Sequence, residues 1–161
     1  MRILVMSDSH GNYRNFEKAI ISQPGAEAVF FLGDGFKEFD LARDNFKSKS
    51  FHGVKGNCDS GCGSLCSSEI LNFEGIRMFL THGANENVKA SYTTLALKAR
   101  SKDCQIALFG HTHISYQGYD DGLYLLNPGS IHMSRNLGVP TYGIIDITPQ
   151  GIFTNIVKLR T

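Results

Sequence analysis

Short apolar runs alternate with polar turns along the chain, and their spacing predicts an α/β fold. Residues 3–6, 28–32 and 51–54 are apolar runs bounded by turn formers, which is typical of buried strands. Between these runs, apolar positions recur at helical spacing, at Phe16, Ala19 and Ile20, with Asn12 as a cap, and again at Phe36, Phe39, Arg43 and Phe46. This β-α-β-α-β order favours a parallel sheet with helices packed against it.

The second half of the chain predicts hairpins and one further helix. Residues 69–73 and 76–80 flank Glu74-Gly75, and residues 114–119 and 123–126 flank Asp121-Gly122, a strong hairpin signal. The remaining elements are a helix marked by Val88, Tyr92, Leu95 and Ala99 with Asn85 as its cap, a strand at 106–109, and a pair of strands at 142–147 and 152–157. We therefore predict one α/β domain over residues 1–161, with two packed sheets and helices outside.

The composition is that of an ordinary globular protein and does not identify a binding partner. The chain has 161 residues, 42% of them hydrophobic and 19% charged, which is ordinary for a globular domain. A net charge of +1 gives no reason to expect stable binding of nucleic acid or membrane, although a metal's charge can still attract a nucleotide. The apolar N-terminal run is too short for a signal peptide, and no stretch approaches a membrane span, so we expect a cytoplasmic protein.

The four cysteines are Cys58, Cys62, Cys66 and Cys104. Without an export signal, disulfides are not expected. The regular spacing of the first three allows a metal or redox cluster, but there is no C-x-x-C pair and the intervening residues include glycines and serines. We predict free thiols, the first three on a loop.

Polar clusters follow five of the predicted strands, at the point where each strand ends. They contain Asp8 and His10, then Asp34, Asn57, His82, and finally His111 and His113. Because ligands bind at the carboxyl ends of strands in open α/β sheets, we expect these side chains to meet in one cleft.

The side chains in these clusters are those of a metal centre. In an extended segment residues i and i+2 point the same way, so Asp8 with His10, and His111 with His113, can each hold one ion. A mixed nitrogen and oxygen set suits Mn, Fe, Zn, Co or Ni better than Mg or Ca. The set is too large for one ion, and a single-ion hydrolase would leave half of it unexplained; Asp34 is the natural shared ligand.

Each cluster taken alone also has an ordinary structural reading. A single loop histidine is usually a surface residue, Asp-Gly pairs make turns, and residues 127–130 (Asn-Pro-Gly-Ser) read as a turn. His52 and His132 are interpreted as structural or peripheral. The convergence of the other four histidines with acids at strand ends favours the metal site.

The order of these motifs resembles the calcineurin-like metallophosphoesterase superfamily, and in particular its small stand-alone bacterial and archaeal phosphodiesterases. The motifs are Asp8-x-His10, Gly33-Asp34, Gly56-Asn57-Cys58-Asp59, Thr81-His82-Gly83 and Gly110-His111-Thr112-His113. The resemblance implies a single-domain αββα sandwich that binds two divalent ions, with Mn²⁺ favoured and Ni²⁺, Co²⁺, Zn²⁺ or Fe²⁺ as alternatives.

The resemblance also implies which residues hold which ion. Asp8, His10, Asp34 and His113 resemble the ligands of the first ion. Asp34, Asn57, His82 and His111 resemble those of the other ion, with Asp34 bridging, so that Asn57 and His82 are candidate catalytic residues as well. The implied reaction is attack on phosphorus by a hydroxide held between the two ions.

The chain departs from the protein phosphatases of this superfamily at one informative position. Those carry His after the Asn of the third motif, whereas this chain has Cys58, and their arginines after Gly33-Asp34 are missing. Lys37 lies nearby in sequence, and Arg135 is a further candidate for contacting phosphate, with a surface salt bridge as the alternative. The expected substrate is therefore a small phosphoester or phosphodiester, with nucleotide-like diesters as one class, and a homo-oligomer is compatible with the sequence.

A second class of function is compatible with the same fold. The retromer complex of eukaryotes uses it as a protein-interaction scaffold with a degraded site. Because every metal position here carries a competent residue, the sequence favours the enzyme.

Overall fold

The structure, a computed structural model, describes residues 1–61 and 64–160. Its elements in chain order are β1 (Arg2–Met6), α1 (Tyr13–Ser22), β2 (Ala28–Phe31), α2 (Phe36–Asn45), β3 (Ser50–Gly53), β4 (Ser68–Phe73), β5 (Ile76–Thr81), α3 (Thr93–Arg100), β6 (Ile106–Leu108), β7 (Ser115–Asp120), β8 (Leu123–Pro128), β9 (Thr141–Thr148) and β10 (Gly151–Lys158). None of the described helices has the length and apolar content that crossing a bilayer requires.

The strands form two mixed sheets of five strands each. The first has the order β10-β9-β1-β2-β3, and its β1, β2 and β3 are parallel. In the second, ordered β4-β5-β6-β8-β7, the three central strands are parallel and the outer two pair antiparallel to them. The predicted α/β architecture of two sheets with helices outside is confirmed.

Three apolar layers hold the sandwich together, and they explain why the strands are apolar on both faces. Leu4 and Met6 of β1 face α1 and α2, whereas Ile3 and Val5 face the second sheet. The outer face of the second sheet packs on α3 through residues such as Leu95. Burial on both faces turns the usual alternation of a half-exposed strand into a continuous apolar run.

Two predicted local signals are confirmed in detail. The Asn12 side chain caps α1 by accepting a hydrogen bond from the backbone N–H of Asn15 at 3.1 Å. Asp121 and Gly122 connect β7 to β8 with positive φ values of 42° and 80°, which are the backbone angles that the favoured two-residue hairpin turn requires.

The predicted start of the third helix is wrong. Helix α3 begins at Thr93, and Tyr92 rather than Asn85 precedes it. The segment before it folds into successive turns, in which Val88 donates to the carbonyl of Gly83 at 3.2 Å. Val88 is buried by this turn, so its apolar side chain matches the helical spacing for a different structural reason.

The topology brings five strand ends to one edge of the sandwich. Strands β1, β2 and β3 run parallel in one sheet, and β5 and β6 run parallel in the other. The loops after these strands carry the polar clusters found in the sequence, and they meet where the two sheets come together.

Candidate metal centre

One group of candidate ligand atoms lies at the end of β1, next to the loop that follows β6. Asp8 Oδ1 is 3.0 Å from His113 Nε2, which is 3.1 Å from His10 Nε2. The carboxylate is fully buried, whereas the two rings are partly exposed. This group therefore opens to solvent on its histidine side.

A second group lies between the ends of β3, β5 and β6. His82 Nε2 is 3.0 Å from Asn57 Oδ1 and 3.1 Å from His111 Nδ1. Asp34 stands between the groups, since its Oδ2 is 3.5 Å from His82 Nε2 and 4.0 Å from His10 Nε2. The seven predicted side chains thus meet in one place, as two clusters of ligand atoms with one carboxylate between them.

The backbone that presents these side chains differs from the prediction. We expected extended segments, but the backbone is left-handed at five of the seven candidate ligands, with positive φ at Asp8, His10, Asp34, His111 and His113 (55°, 41°, 60°, 66° and 58°). Non-glycine residues adopt this conformation at a cost, and such strain concentrates at functional sites.

Because of these turns, the pairing that we inferred from the i, i+2 spacing is wrong for His111 and His113. Asp8 and His10 do lie in one cluster, but His111 and His113 point into different ones. A tight turn, rather than a strand, separates their rings.

The carboxylate of Asp8 has one satisfied and one unsatisfied oxygen. Oδ2 accepts hydrogen bonds from the Ser7 hydroxyl at 2.6 Å and from the His111 backbone N–H at 3.1 Å. Oδ1 is buried and has no hydrogen-bond partner among the described residues. Because a buried, unpaired carboxylate oxygen is costly, its position facing two imidazoles fits a cation ligand.

The tautomer of His82 is set from behind the ring. Nδ1 lies 2.7 Å from the carbonyl oxygen of Leu32, which can only accept, so a neutral ring carries its proton there and its lone pair on Nε2. The Asn57 amide donates to Cys58 Sγ at 3.3 Å, which turns its oxygen toward that lone pair. Two acceptors 3.0 Å apart repel each other unless a proton or cation lies between them.

The surroundings of His111 also favour a neutral ring. Burial, followed by the charges of His82 and Lys89, lowers the pKa of His111, and the carboxylates of Asp8 and Asp34 offset this only in part. A lowered pKa keeps the ring deprotonated near neutral pH, so its nitrogen lone pair is free to bind a metal.

Asp59 organises the site, although the sequence motif that contains it gave no prediction of its role. Its carboxylate accepts four backbone hydrogen bonds, from Asp34 (2.7 Å), Gly35 (2.8 Å), Phe36 (3.0 Å) and Gly56 (2.8 Å). Gly35 has no side chain with which to cap α2, so Asp59 supplies the negative charge at that helix N-terminus. The three bonds from Asp34, Gly35 and Phe36 join the Asp34 loop to the Asn57 loop, and the fourth, from Gly56, closes the Asn57 loop on itself.

The Asn-Pro-Gly-Ser segment after β8 is more than a turn. The Asn127 side-chain amide donates to the carbonyl of Gly110 at 2.9 Å and to the Thr112 hydroxyl at 3.1 Å. The Ser130 hydroxyl donates to the carbonyl of Asp8 at 2.8 Å. All four residues are buried, so this segment holds the loop of His10 and the loop of His111 and His113, a role that its residue types alone do not reveal.

Close contact between loops explains the glycines beside Asp34. A Cβ on Gly33 would lie 2.5 Å from the backbone nitrogen of Gly56, and one on Gly56 would lie 2.1 Å from Asp34 Oδ1. Only glycine permits this approach, which brings Asp34 and Asn57 into the same centre.

The remaining candidates lie at different distances from the centre. The Cys58 sulfur is within 4.8 Å of ligand atoms of His10 and Asp34. Arg135 is exposed, and it contacts this region through its backbone, whose N–H donates to the carbonyl of His113 at 2.7 Å. His52 packs edge-on against Phe30, in keeping with a structural role, and His132 is exposed and belongs to neither ligand cluster.

The thiols are free wherever the structure describes them. Cys58 and Cys66 are exposed, while Cys104 is buried. Cys62 lies outside the described residues, so the prediction for that thiol stays a prediction.

These residues fit a divalent metal. The donor set combines imidazole nitrogens with carboxylate and amide oxygens. It includes Asp8 Oδ1, which is buried without a hydrogen-bond partner among the described residues, and the facing acceptor atoms His82 Nε2 and Asn57 Oδ1. Such a site at the strand ends of an αββα sandwich is what the resemblance to the metal-dependent phosphoesterases predicts.

Comparison with known proteins gives the family. The calcineurin-like phosphoesterase superfamily domain matches residues 1–150, and the chain belongs to this superfamily. A probable metallophosphoesterase of Mycoplasma genitalium is 31% identical over 147 residues, which cover 88% of this chain and 85% of that protein. Phosphodiesterase YfcE of Escherichia coli is 26% identical over 175 residues, covering 91% of this chain and 88% of the relative.

Solved structures share the fold. A predicted phosphoesterase from Streptococcus pneumoniae superimposes with a TM-score of 0.83 at 24% identity, covering 98% of this chain and 88% of that one. Vps29 from Chaetomium thermophilum gives a TM-score of 0.74 at 19% identity, with 97% and 96% covered. The chain is thus a metal-dependent phosphoesterase by family and site.

Proposed function

We propose that the protein is a phosphodiesterase that works with two divalent ions. The observation that carries the proposal is the position of Asp34 Oδ2 between two clusters of ligand atoms, 3.5 Å from His82 Nε2 and 4.0 Å from His10 Nε2. A carboxylate in that position can bridge two ions, whereas one ion would leave one cluster without a partner.

The proposed ligands follow from the two clusters. Asp8, His10 and His113 would hold one ion, and Asn57, His82 and His111 the other, with Asp34 shared. We propose Mn²⁺ as the preferred metal, as the family resemblance implies; the mixed nitrogen and oxygen set suits Mn, Fe, Co, Ni and Zn more than Mg or Ca. When bound, such a pair supplies a hydroxide nucleophile near neutral pH and positive charge for the phosphoryl oxygens.

Residues around the centre would hold the ligand side chains in position for the reaction. His82 is held by the Leu32 carbonyl, and Asp8 by Ser7 and the His111 backbone, so their donor atoms are fixed before substrate arrives. Such preorganisation lowers the reorganisation needed in the transition state. His10 and His113, on the exposed side, mark where substrate approaches.

Cys58 favours diesters over monoesters. A hydrogen bond with Asp34, then burial and nearby carboxylate charge, raise the pKa of the Cys58 thiol, so the group beside the centre is a neutral thiol rather than an anionic thiolate. A monoester dianion carries one more negative charge than a diester, and the thiol does not balance it as an imidazolium would. The family relatives that are named phosphodiesterases support this preference.

The decisive experiment measures turnover and metal content together. Purified protein is loaded with Mn²⁺, and initial rates are compared for bis-p-nitrophenyl phosphate and p-nitrophenyl phosphate. We expect two ions per chain by mass spectrometry of the metal, a higher kcat/KM for the diester, and complete loss of turnover with EDTA.

The contrary results are equally clear. A stoichiometry of one ion would refute the binuclear site, and a preference for the monoester would refute the diesterase. No turnover with Mn²⁺, Co²⁺, Ni²⁺ or Zn²⁺ would favour the scaffold alternative, for which the likeness to Vps29 shows only a common fold.

Three broader predictions accompany the enzyme. We propose that residues 1–161 form one domain, because the three apolar layers share the same two sheets. The cytoplasmic location and the oligomeric state stay predictions from the sequence.

A further inference from the structure

A cleft opens beside the candidate metal centre on the side of His10. Its volume is about 430 Å³, and its lining includes His10 and Asp34 at the centre, together with Phe36, Lys37 and Ser60 farther out. Small-molecule sites occupy roughly 300–1,000 Å³, so the cleft is large enough for a nucleoside-sized group. A phosphoryl group at the metal centre would fill only its inner end.

The acidic side chains that line this cleft are already engaged within the protein. Glu38 accepts a hydrogen bond from the Ser9 hydroxyl at 2.8 Å, and Asp34 Oδ1 accepts one from the Cys58 backbone N–H at 2.8 Å. The carboxylate of Asp59 binds four backbone N–H groups. Since these include the first N–H of α2, the start of that helix is not open to an anion.

Lys37 is the one lysine or arginine among the described residues that line the cleft. Its side chain is exposed, and its amine forms no ion pair or hydrogen bond with any residue in the described ranges. It stands on the first turn of α2, three positions after Asp34. The cleft therefore joins a metal centre at one end to an unpaired cation on its wall.

We propose that this cleft binds one substituent of a phosphodiester, and that Lys37 pairs with a second phosphate carried by that substituent. The preferred substrates are then nucleotide-like diesters with an additional phosphate group. Phe36 supplies apolar surface for the part between the two phosphates. This inference rests on the proposed function and gives it a substrate class.

The test uses two chromogenic diesters that differ in one phosphate. One is the p-nitrophenyl ester of thymidine 5′-phosphate, and the other is the same ester with a 3′-phosphate. With Mn²⁺-loaded protein we expect a higher kcat/KM for the 3′-phosphorylated ester. Lys37→Met lowers that value by about five- to tenfold, the usual effect of losing a charge-assisted contact, and Lys37→Arg preserves it.

Lys55 provides the matched control. It is also an exposed lysine, but it lines a separate cavity of about 160 Å³ on the Asn57 and His82 side. We expect Lys55→Met to keep the wild-type preference for the 3′-phosphorylated ester. Lys55→Met should also hydrolyse both esters within about twofold of wild type, since exposed charges away from the scissile group contribute little, whereas Lys37→Met should lower the ratio of the two rates.

Direct binding separates this inference from the proposed function. Titration calorimetry with thymidine 3′,5′-bisphosphate should show weaker binding to Lys37→Met than to wild type, whereas thymidine 5′-phosphate should bind both alike. If Lys37→Met weakened the binding of both ligands equally, or if Lys55→Met instead lost the preference for the 3′-phosphorylated ester, the role of Lys37 would be overturned. Hydrolysis of the diesters would still support the proposed enzyme. Lys37-dependent binding without hydrolysis of any diester would support the cleft and refute the diesterase.

Discussion

Replacing Asp59 by Asn tests whether one carboxylate joins the loops of the centre. The substitution keeps the size of the side chain, but Asn has one oxygen where Asp has two. Asp59 Oδ1 accepts from the backbone N–H groups of Gly35 and Phe36, and Oδ2 from those of Asp34 and Gly56. Whichever way the new amide turns, its nitrogen faces two N–H donors that it cannot satisfy.

The structure sets the size of the effect. Each unsatisfied, partly buried N–H costs about 1–2 kcal/mol, so two of them amount to about 2–4 kcal/mol of unfolding free energy. Loss of the negative charge at the start of α2 adds about 0.5 kcal/mol. For a chain of this size, the total of about 2.5–4.5 kcal/mol should lower the melting temperature by roughly 5–18 °C.

Urea unfolding in EDTA, followed by circular dichroism, measures this without a contribution from bound metal. The control is Asp44→Asn, because Asp44 is exposed and pairs with Lys47 on the surface; we expect a change below about 0.5 kcal/mol. An unfolding free energy for Asp59→Asn within about 0.5 kcal/mol of wild type, at an unchanged m-value, would refute the reasoning.

Three further predictions concern the ligands and the surface. Asp34→Asn should reduce bound Mn²⁺ from two ions per chain to fewer than one, measured by equilibrium dialysis; full retention of two ions would exclude a bridging role. Cys58→Ala should keep at least about a third of the wild-type kcat/KM on bis-p-nitrophenyl phosphate, because the thiol is neutral and exposed; activity as low as that of Asp34→Asn would contradict this. A hydrogen bond from Arg2 lowers the pKa of Asp146, so this pair stabilises the fold above the unfolded carboxyl pKa of about 3.9 and loses its contribution as pH falls through the lowered value. Asp146→Asn should therefore reduce the loss of unfolding free energy at acidic pH by up to about 1 kcal/mol. An unchanged pH dependence would show that solvent screens the pair.

The fold could be predicted because the strands are buried on both faces. Runs such as residues 3–6 and 28–32 are continuous in sequence, and each is followed by a polar cluster, so element order and strand ends could be located together. The start of α3 could not, since Val88 satisfies the helical period while it fills a turn. The spacing of apolar residues indicates which positions are buried, but several backbone conformations can bury the same residue.

That the candidate ligands meet could be predicted from the strand ends, and their grouping from the family resemblance but not from their spacing; the residues that support them could not be predicted. His111 and His113 have the spacing of one extended pair, yet the left-handed backbone sends them to different clusters. Asp59 and Asn127 act through backbone N–H and carbonyl groups, which nearly every residue carries, so nothing in the residue types identifies their partners. Loop contacts between distant strands decide these roles.

The left-handed backbone at the candidate ligands also has an evolutionary consequence. Glycine adopts that conformation freely, whereas an Asp or His there costs about 1 kcal/mol or more. Selection for metal binding therefore keeps Asp or His at positions where glycine would have less backbone strain. These positions are Asp8, His10, Asp34, His111 and His113. Glycine at His10 or His113, whose rings contact other candidate ligands, would relieve this strain, so a chain released from hydrolysis could lose these two ligands with a gain in stability.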